Sequence, residues 1–483
     1  MNIIAIGGTI MATKRHRANV QLIHERPDKA AETPDISHLN TCIEDVRQAA
    51  LDNDPGPEDP TDFDQLRGRL ESARNKFPPL YRREFVEPFI ATIDQLGPSQ
   101  FTQVLIQDPS RERAAGLMLD MSQAILQRSD RFEINALNAF EEMVSDLYDG
   151  FLSAADRKGI NRPDNRTSAP LVKFGRPDFG PYTWPVDATE IFGAHAAVVC
   201  LPPSNGRKGL LAWSALGHET AGHDILHADN GLQDQLTEAV RAALMQAGAG
   251  AMLADYWSSR IDETASDVLG ILNMGPAAAI GLIGYFRGLN KAFTGRATLR
   301  NNGPSGDPHP ADIVRGFLAA ETVGLLPFAQ SAAWSRVVTD ETMKDVQQIT
   351  LAGSNVTTEK AKQSAQIVAK TIATFKAPSL EEHALGEIQT WQDKDEAIVR
   401  RVRTMLVTVG DLPDFEQEHI FATHVVAAAV TEALVNGVDL PLIFDRMVSI
   451  LVQMKEKNPV WGPLFVRHPG NIRRDLTYIR SAA

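Results

Sequence analysis

The chain has 483 residues, 43% of them hydrophobic and 23% charged, which is an ordinary composition for a soluble globular protein. This length predicts two or three domains with a substantial buried core. The formal net charge of −13 argues against nucleic acid as a partner, because nucleic-acid binding requires a basic surface. Only Cys42 and Cys200 occur, which excludes a disulfide framework and predicts two structural thiols.

The N-terminal region, residues 1–158, is predicted to be mostly helical. Ile4 to Ile10 predicts a β-strand and a glycine turn. This run resembles the opening strand of bacterial L-asparaginases, but the Gly-Thr-Asp-Thr segment that this family also needs is absent. Residues 54–62 form an acidic, proline-rich loop. After this loop, helical spacing begins, and Phe85, Phe89 and Ile93 recur every four residues.

Two segments in the middle of the chain carry side chains suited to a catalytic metal. His218-Glu219-Thr220-Ala221-Gly222-His223 provides two imidazoles and a carboxylate on a predicted helix. Forty residues later, Glu263 begins the segment Glu263-Thr264-Ala265-Ser266-Asp267. A catalytic zinc takes three protein ligands, commonly two His and one Glu, and leaves a fourth position open. The pattern therefore predicts Zn²⁺ held by His218, His223 and Glu263.

Further side chains have predicted roles around this metal. Glu219 would be the base that takes a proton from the activated water. Asp267, at i+4 from Glu263, would accept the free N–H of a ligand imidazole. Tyr256 and His309 are candidate catalytic residues that would stabilise the oxyanion. The alternatives are that Tyr256 is a packed aromatic and that His309 belongs to a loop or caps a helix.

The two histidines are separated by one residue more than in the common H-E-x-x-H helix. In a regular α-helix, an i,i+5 pair of side chains diverges by about 140°. Both rings reach one metal only if the helix absorbs an extra residue, which predicts a π-type bulge. Gly222, which has no side chain, would relieve crowding at that bulge.

These motifs resemble those of gluzincin metallopeptidases. The six-residue segment resembles the H-E-x-x-G-H motif of the dipeptidyl peptidase III family, and residues 262–267 are similar to the segment from which that family takes its zinc Glu. Glu263-x-x-Ser-Asp is also comparable to a segment of thermolysin-type enzymes. His309-Pro310, followed by Arg315, looks like the His-Pro…Arg element of the CAAX-prenyl-protease class. The resemblance covers about residues 195–316 and implies zinc-dependent hydrolysis of a peptide or protein substrate.

Two other interpretations use the same residues. Residues 221–227 resemble the core of HD-domain phosphohydrolases, which bind metal through His and Asp side chains. The ligands would then be His223, Asp224, Asp267 and an earlier histidine, either His195 or His218. That scheme leaves Glu219 and Glu263 without a role. The other interpretation is a non-catalytic helical scaffold with a structural zinc.

The segments around the motifs predict what surrounds the site. The apolar run 195–201 predicts a β-strand, either a buried structural strand or one whose edge holds a substrate in extended form. Residues 159–185 are rich in Pro, Gly and Asn and predict a linker or a long loop over the site. Arg315 is expected to pair with a buried acid.

Residues 268–286 contain no charge and approach the length of a membrane span. Gly275-Pro276 divides this run, which predicts a helix that ends there and a second buried helix after it. No convincing secretory signal begins the chain. We therefore expect a cytoplasmic protein without membrane association.

The C-terminal region is predicted to be helical, with segments 357–376, 380–409, 414–436 and 440–457 and caps such as Asp414 and Asp439. His419 and His424 repeat the five-residue spacing without a third ligand, and they are expected to be core or surface histidines. The predicted fold class is mainly α: a multi-domain helical protein with a small β element beside a zincin-like catalytic helix pair. The predicted domains are 1–158, 186–330 (catalytic) and 331–483.

Overall fold

Helical residues make up 65% of the structure, which confirms the mainly α class. The computed structural model describes residues 33–152, 157–164, 169–177, 180–408, 413–415 and 417–457. The strand predicted at Ile4 to Ile10 lies outside these residues. Residues from Thr33 onward form one unit by their contacts, and the division into three domains stays a prediction.

The first six helices are α1 (Leu39–Ala50), α2 (Phe63–Ala73), α3 (Pro79–Tyr81), α4 (Glu87–Gln107), α5 (Ala114–Asp130) and α6 (Ile134–Leu152). The acidic loop before α2 is irregular, as predicted, and ends at Asp62, whose side chain accepts a hydrogen bond from the Gln65 N–H. Phe85, Phe89 and Ile93 are completely buried, which confirms that their four-residue spacing marks a core-facing stripe.

A three-stranded sheet precedes the proposed site in the chain. Its strands are β1 (Leu171–Phe174), β2 (Tyr182–Trp184) and β3 (Val198–Leu201), in the order β1-β3-β2. Strand β3 pairs with β1 on one side and with β2 on the other, and all four of its residues are buried. The strand predicted within 195–201 is therefore the buried structural one, and it has no free edge. The two edge strands are β1 and β2, and both lie within the segment 159–185 that was predicted to be a linker or loop.

The next helices are α7 (Val186–Thr189), α8 (Leu211–Ser214), α9 (Leu216–Ala221), α10 (Leu232–Gln246), α11 (Ala251–Ser258), α12 (Ile261–Met274), α13 (Pro276–Thr294) and α14 (Asp312–Leu325). Helix α12 packs against α9 and α14. Gly275, at φ +62°, separates α12 from α13, which confirms the two buried helices predicted for residues 268–286. Among the described residues, no helix is long and apolar enough to cross a bilayer.

The last helices are α15 (Ser331–Met343), α16 (Thr358–Thr374), α17 (Leu385–Ile388), α18 (Asp393–Val407), α19 (Ala422–Ala433) and α20 (Leu440–Lys457). A second sheet has the order β4 (Asn302–Gly303), β5 (Ile349–Leu351), β6 (Ser354–Val356). Helix α20 has its predicted bounds, and the Asp439 carboxylate accepts from the Leu442 N–H. The single helix predicted for 380–409 is wrong, because the chain is extended at Gln389 and Gln392 and buries Trp391 between them.

Candidate metal centre

The chain leaves the helix between the two histidines of the motif. Helix α9 carries His218 and ends at Ala221, and His223 lies in the turn that follows. The predicted π-type bulge is therefore wrong. The cause is close packing on α12: a Cβ at Gly222 would lie 1.5 Å from Oγ and 2.3 Å from Cα of Ser266. The bare backbone of residue 222 rests on α12, and this brings His223 next to Glu263.

The structure brings the three predicted metal ligands together. The ligand atoms of His218, His223 and Glu263 all lie within 4.8 Å of one another. Nε2 of His218 is 3.4 Å from Oε2 of Glu263, and Nε2 of His223 is 3.5 Å from Oε1. Two ligand atoms on one tetrahedral zinc, each about 2.05 Å from it, are about 3.3 Å apart. The two nitrogen–oxygen separations are close to that value.

The second nitrogen of each imidazole faces a carboxylate. Nδ1 of His218 is 2.8 Å from Oδ1 of Asp267, and Nδ1 of His223 is 2.8 Å from Oδ2 of Asp262. A carboxylate at Nδ1 holds a proton there, so Nε2, which faces Glu263, is the nitrogen available to a metal ion. Asp267 stands where the sequence predicted it. Asp262 was missed, although its position directly before the ligand Glu263 was the available signal.

Arg315 completes the network beneath the cluster. Its Nε and Nη2 donate to the two oxygens of Asp267 at 2.8 and 2.7 Å, which confirms that it pairs with a buried acid. Its Nη1 lies 3.5 Å from Oε2 of Glu263. All three side chains are buried, and one guanidinium therefore balances two carboxylates in a region with little water.

Charge pairing outweighs burial in setting the protonation of the cluster. Burial opposes protonation of His218, but hydrogen bonds to Asp267 and Glu263 raise its pKa to about 10. Burial opposes ionisation of Glu263, yet the hydrogen bond from His218 and the charges of His218 and Arg315 lower its pKa. At neutral pH a metal ion must therefore displace a proton from His218, which makes metal affinity pH-dependent.

A cavity of about 570 Å³ opens over the cluster, within the usual size range of ligand sites. The predicted base, Glu219, lines this cavity. Thr183 of the edge strand β2 lies beside it, with its hydroxyl 3.0 Å from the main-chain oxygen and 3.2 Å from Oε2 of Glu219. The sequence did not reveal Thr183, because its segment is dominated by loop-forming residues.

One of the two predicted oxyanion partners reaches the cavity. Nε2 of His309 lies 3.4 Å from Oε1 of Glu263, and its side chain is 52% exposed. Tyr256 does not line the cavity; it is buried, and its hydroxyl accepts a hydrogen bond from the Ala311 N–H at 2.9 Å. The structure therefore favours the alternative that Tyr256 is a packed aromatic residue over the predicted catalytic role. Tyr285 of α13 lines the cavity instead, and its hydroxyl has no hydrogen-bond partner among the described residues.

The residues of the HD-domain interpretation do not converge. Asp224 is buried away from the cluster, and its Oδ1 accepts a hydrogen bond from the Val186 N–H at 3.2 Å. His195 is paired with Glu190. In the part of the chain that the structure describes, the only group of three or more potential ligands is the one above. His424 is a core histidine, as expected, with Nε2 3.1 Å from a carboxylate oxygen of Asp395.

Comparison of the chain with protein-family models, curated proteins and solved structures finds no match. The functional assignment therefore depends on the donor atoms of the cluster, the carboxylate beside it and the cavity that they line.

Proposed function

We propose that this protein is a zinc-dependent hydrolase of peptide bonds, a metallopeptidase of the gluzincin type that its motifs resemble. His218, His223 and Glu263 would hold the zinc, and Glu219 would be the base. The observation that carries the proposal is the orientation of the two imidazoles. Each has Nδ1 against an aspartate and Nε2 toward the same glutamate.

The donor set fits zinc. Oε2 of Glu263 is buried, and its nearest polar neighbours among the described residues, Nε2 of His218 at 3.4 Å and Nη1 of Arg315 at 3.5 Å, are too far away for a well-formed hydrogen bond. Coordination to a cation would satisfy this oxygen. Two imidazole nitrogens and one carboxylate oxygen form a recognised catalytic set with a fourth position free. A divalent ion held there would act as a Lewis acid, lowering the pKa of a water molecule and polarising a substrate carbonyl.

The side chains of the cavity supply the remaining chemistry. Glu219 accepts a proton from the attacking water and passes it to the leaving amine. Thr183 orients Glu219, because its hydroxyl lies within hydrogen-bond distance of the carboxylate. His309 is half exposed at the cavity and donates to the substrate carbonyl oxygen as that atom becomes negative.

A peptide substrate is supported by strand β2. It is one of the two edge strands of its sheet, and its residues Tyr182 and Thr183 line the cavity. An extended peptide can add to such an edge through main-chain hydrogen bonds, which give affinity with little sequence selectivity. The open cavity also favours catalysis over a scaffold with a structural zinc, because structural zinc sites are usually closed and four-coordinate.

Substituting Glu219→Gln tests the proposal. The variant keeps the shape of the side chain but removes the base. We expect zinc content to stay at about one per chain and kcat for peptide hydrolysis to fall at least about 100-fold. Glu359→Gln, on the exposed surface of α16, is the matched control and should change neither quantity. Hydrolysis by the Glu219→Gln variant at the parent rate would disprove the mechanism.

A further inference from the structure

We infer that the cavity takes an internal segment of a peptide chain and seats a large apolar side chain against α13, an inference that rests on the proposed function. Helix α13 turns one apolar stripe toward the cavity, and its members lie at positions i, i+3, i+4, i+7 and i+11 of the helix. They are Leu282, Tyr285, Phe286, Leu289 and Phe293.

The stripe begins beside the metal cluster and ends at the surface. The Arg315 guanidinium, which pairs with Asp267, lies 4.6 Å from the centre of the Phe286 ring. Exposure rises along the helix from 6% at Leu282 to 67% at Phe293. Exposed apolar surface that continues into a cavity is typical of a binding groove. The stripe therefore connects the metal cluster with exposed apolar surface at Phe293.

A second, smaller cavity of about 90 Å³ extends this surface. Tyr285, Leu289 and Phe293 line both cavities, and Val46 and Ala49 of α1 form the far side of the second one. The apolar surface therefore extends from the cluster along α13 toward α1. An apolar side chain close to the scissile bond of the substrate could bind against this surface.

The arginines that line the cavity already have internal partners that balance their charge. Nε, Nη1 and Nη2 of Arg300 donate to two carboxylates and one main-chain carbonyl. The three nitrogens of Arg315 face Asp267 and Glu263. Each arginine is therefore already balanced by two carboxylates, and desolvating a further carboxylate here, at a chain end or on an acidic side chain, would be unfavourable.

The lining carboxylates are also paired. Asp262 faces two histidines, and Asp312 accepts hydrogen bonds from Arg300. Among the described residues of the lining, the carboxylate that is paired with neither a histidine nor an arginine is Glu219, and an ammonium group bound there would block the base. A free N-terminus and a lysine side chain are therefore disfavoured, which leaves an uncharged internal segment as the substrate.

Internally quenched peptides with acetylated and amidated ends test this inference on the zinc-loaded protein. The peptides share one Ala-rich sequence and differ at a single position, which is Phe, Leu, Ala, Asp or Lys. We expect kcat/KM for the Phe peptide to exceed that for the Ala peptide at least about tenfold, and the Asp and Lys peptides to be poorer still. Preference for Asp or Lys would overturn the inference.

Phe293→Ala is the diagnostic variant, since its side chain is mostly exposed and packing of the fold depends little on it. The ratio of kcat/KM between the Phe and Ala peptides should fall by about tenfold, because the variant loses apolar contact with the Phe side chain. Ile106→Ala, which removes another exposed apolar side chain on α4 outside the cavity, is the matched control and should keep the parent ratio. An unchanged ratio in Phe293→Ala would contradict the apolar seat.

Binding distinguishes failure of this inference from failure of the proposed function. The same peptides, fluorescently labelled, are titrated against the Glu219→Gln variant and followed by anisotropy, which requires no turnover. Cleavage without an apolar preference would refute the inference alone. Absence of any cleavage would refute the proposed function. In that case, the binding data alone decide the inference. Tighter binding of the Phe peptide, which Phe293→Ala weakens, would support an apolar binding site on α13. Equal binding of all the peptides would refute it.

Discussion

Replacing Gly222 by Ala perturbs the contact that joins the two ligand-bearing segments. The backbone there, with φ −85° and ψ −59°, suits any residue, and the added methyl group therefore acts through space alone. Its carbon would lie 1.5 Å from Oγ, 2.0 Å from Cβ and 2.3 Å from Cα of Ser266. Rotation of the serine side chain relieves only the first of these overlaps, so the backbone must move.

The size of the effect follows from these distances. Non-bonded carbon atoms sit about 3.5–4.0 Å apart, so residue 222 and α12 must separate by more than about 1 Å. Such overpacking costs about 1–3 kcal/mol of stability. Ser266 lies three residues after Glu263 on the same helix, so the movement also separates His223 from Glu263. Metal–ligand distances tolerate about 0.2 Å, and we expect zinc affinity to fall about 100-fold or more.

Two measurements check this prediction. Competition with a chromophoric chelator gives the zinc affinity, and urea unfolding of the metal-free protein gives the stability. Gly68→Ala in α2 is the matched control, because no atom lies within 4 Å of the added Cβ. That control should gain about 0.5–1 kcal/mol. A Gly222→Ala protein with parental zinc affinity and parental stability would refute the packing argument.

Three further substitutions test other parts of the account. Asp262→Asn weakens the hydrogen bond that orients the imidazole of His223 through Nδ1. Zinc affinity in the chelator assay should therefore fall about 10- to 100-fold. An unchanged affinity would show that Asp262 does not orient His223. Tyr285→Phe removes a hydroxyl that lines the cavity and that we propose donates, with His309, to the substrate carbonyl oxygen. The value of kcat should therefore fall about 100-fold with little change in KM, and an unchanged kcat would exclude Tyr285 from catalysis. Burial raises the pKa of Asp146 from 3.8 to about 7. The folded protein therefore holds that proton more tightly than the unfolded chain, and the free energy of unfolding should fall as pH rises from about 4 to about 7. Urea unfolding at several pH values gives the free energy of unfolding as a function of pH. Asp146→Asn should remove the fall between about pH 4 and about pH 7. A pH dependence identical to the parent's would contradict the argument.

Local sequence signals predicted the elements that depend on local chemistry. Asp439 marks the start of α20 by accepting a backbone N–H, and Gly275-Pro276 marks the break between α12 and α13. The broken region 380–409 depends instead on Trp391, which packs against Gly275 more than one hundred residues away in sequence. Helical spacing in the sequence carries no information about that contact.

In the candidate site, too, some features follow from local sequence and others depend on long-range packing. The ligand types and their carboxylate partner at Asp267 follow from residue chemistry and helical spacing. The end of α9 before His223 does not, because it is set by the approach of Ser266 to Gly222. Tyr256 and Tyr285 have the same side chain, so the sequence alone does not show which of them reaches the cavity. The packing of α13 places Tyr285 there.

The most direct test of the metal centre is the zinc content of the purified protein, compared with that of two variants. After equilibration with zinc and removal of unbound metal, mass spectrometry should find about one zinc per chain. His223→Ala should lose that zinc while circular dichroism shows the fold retained. His195→Ala, which alters a histidine outside the cluster, should keep it. A parent protein without zinc, or a His223→Ala variant that still holds it, would contradict the account.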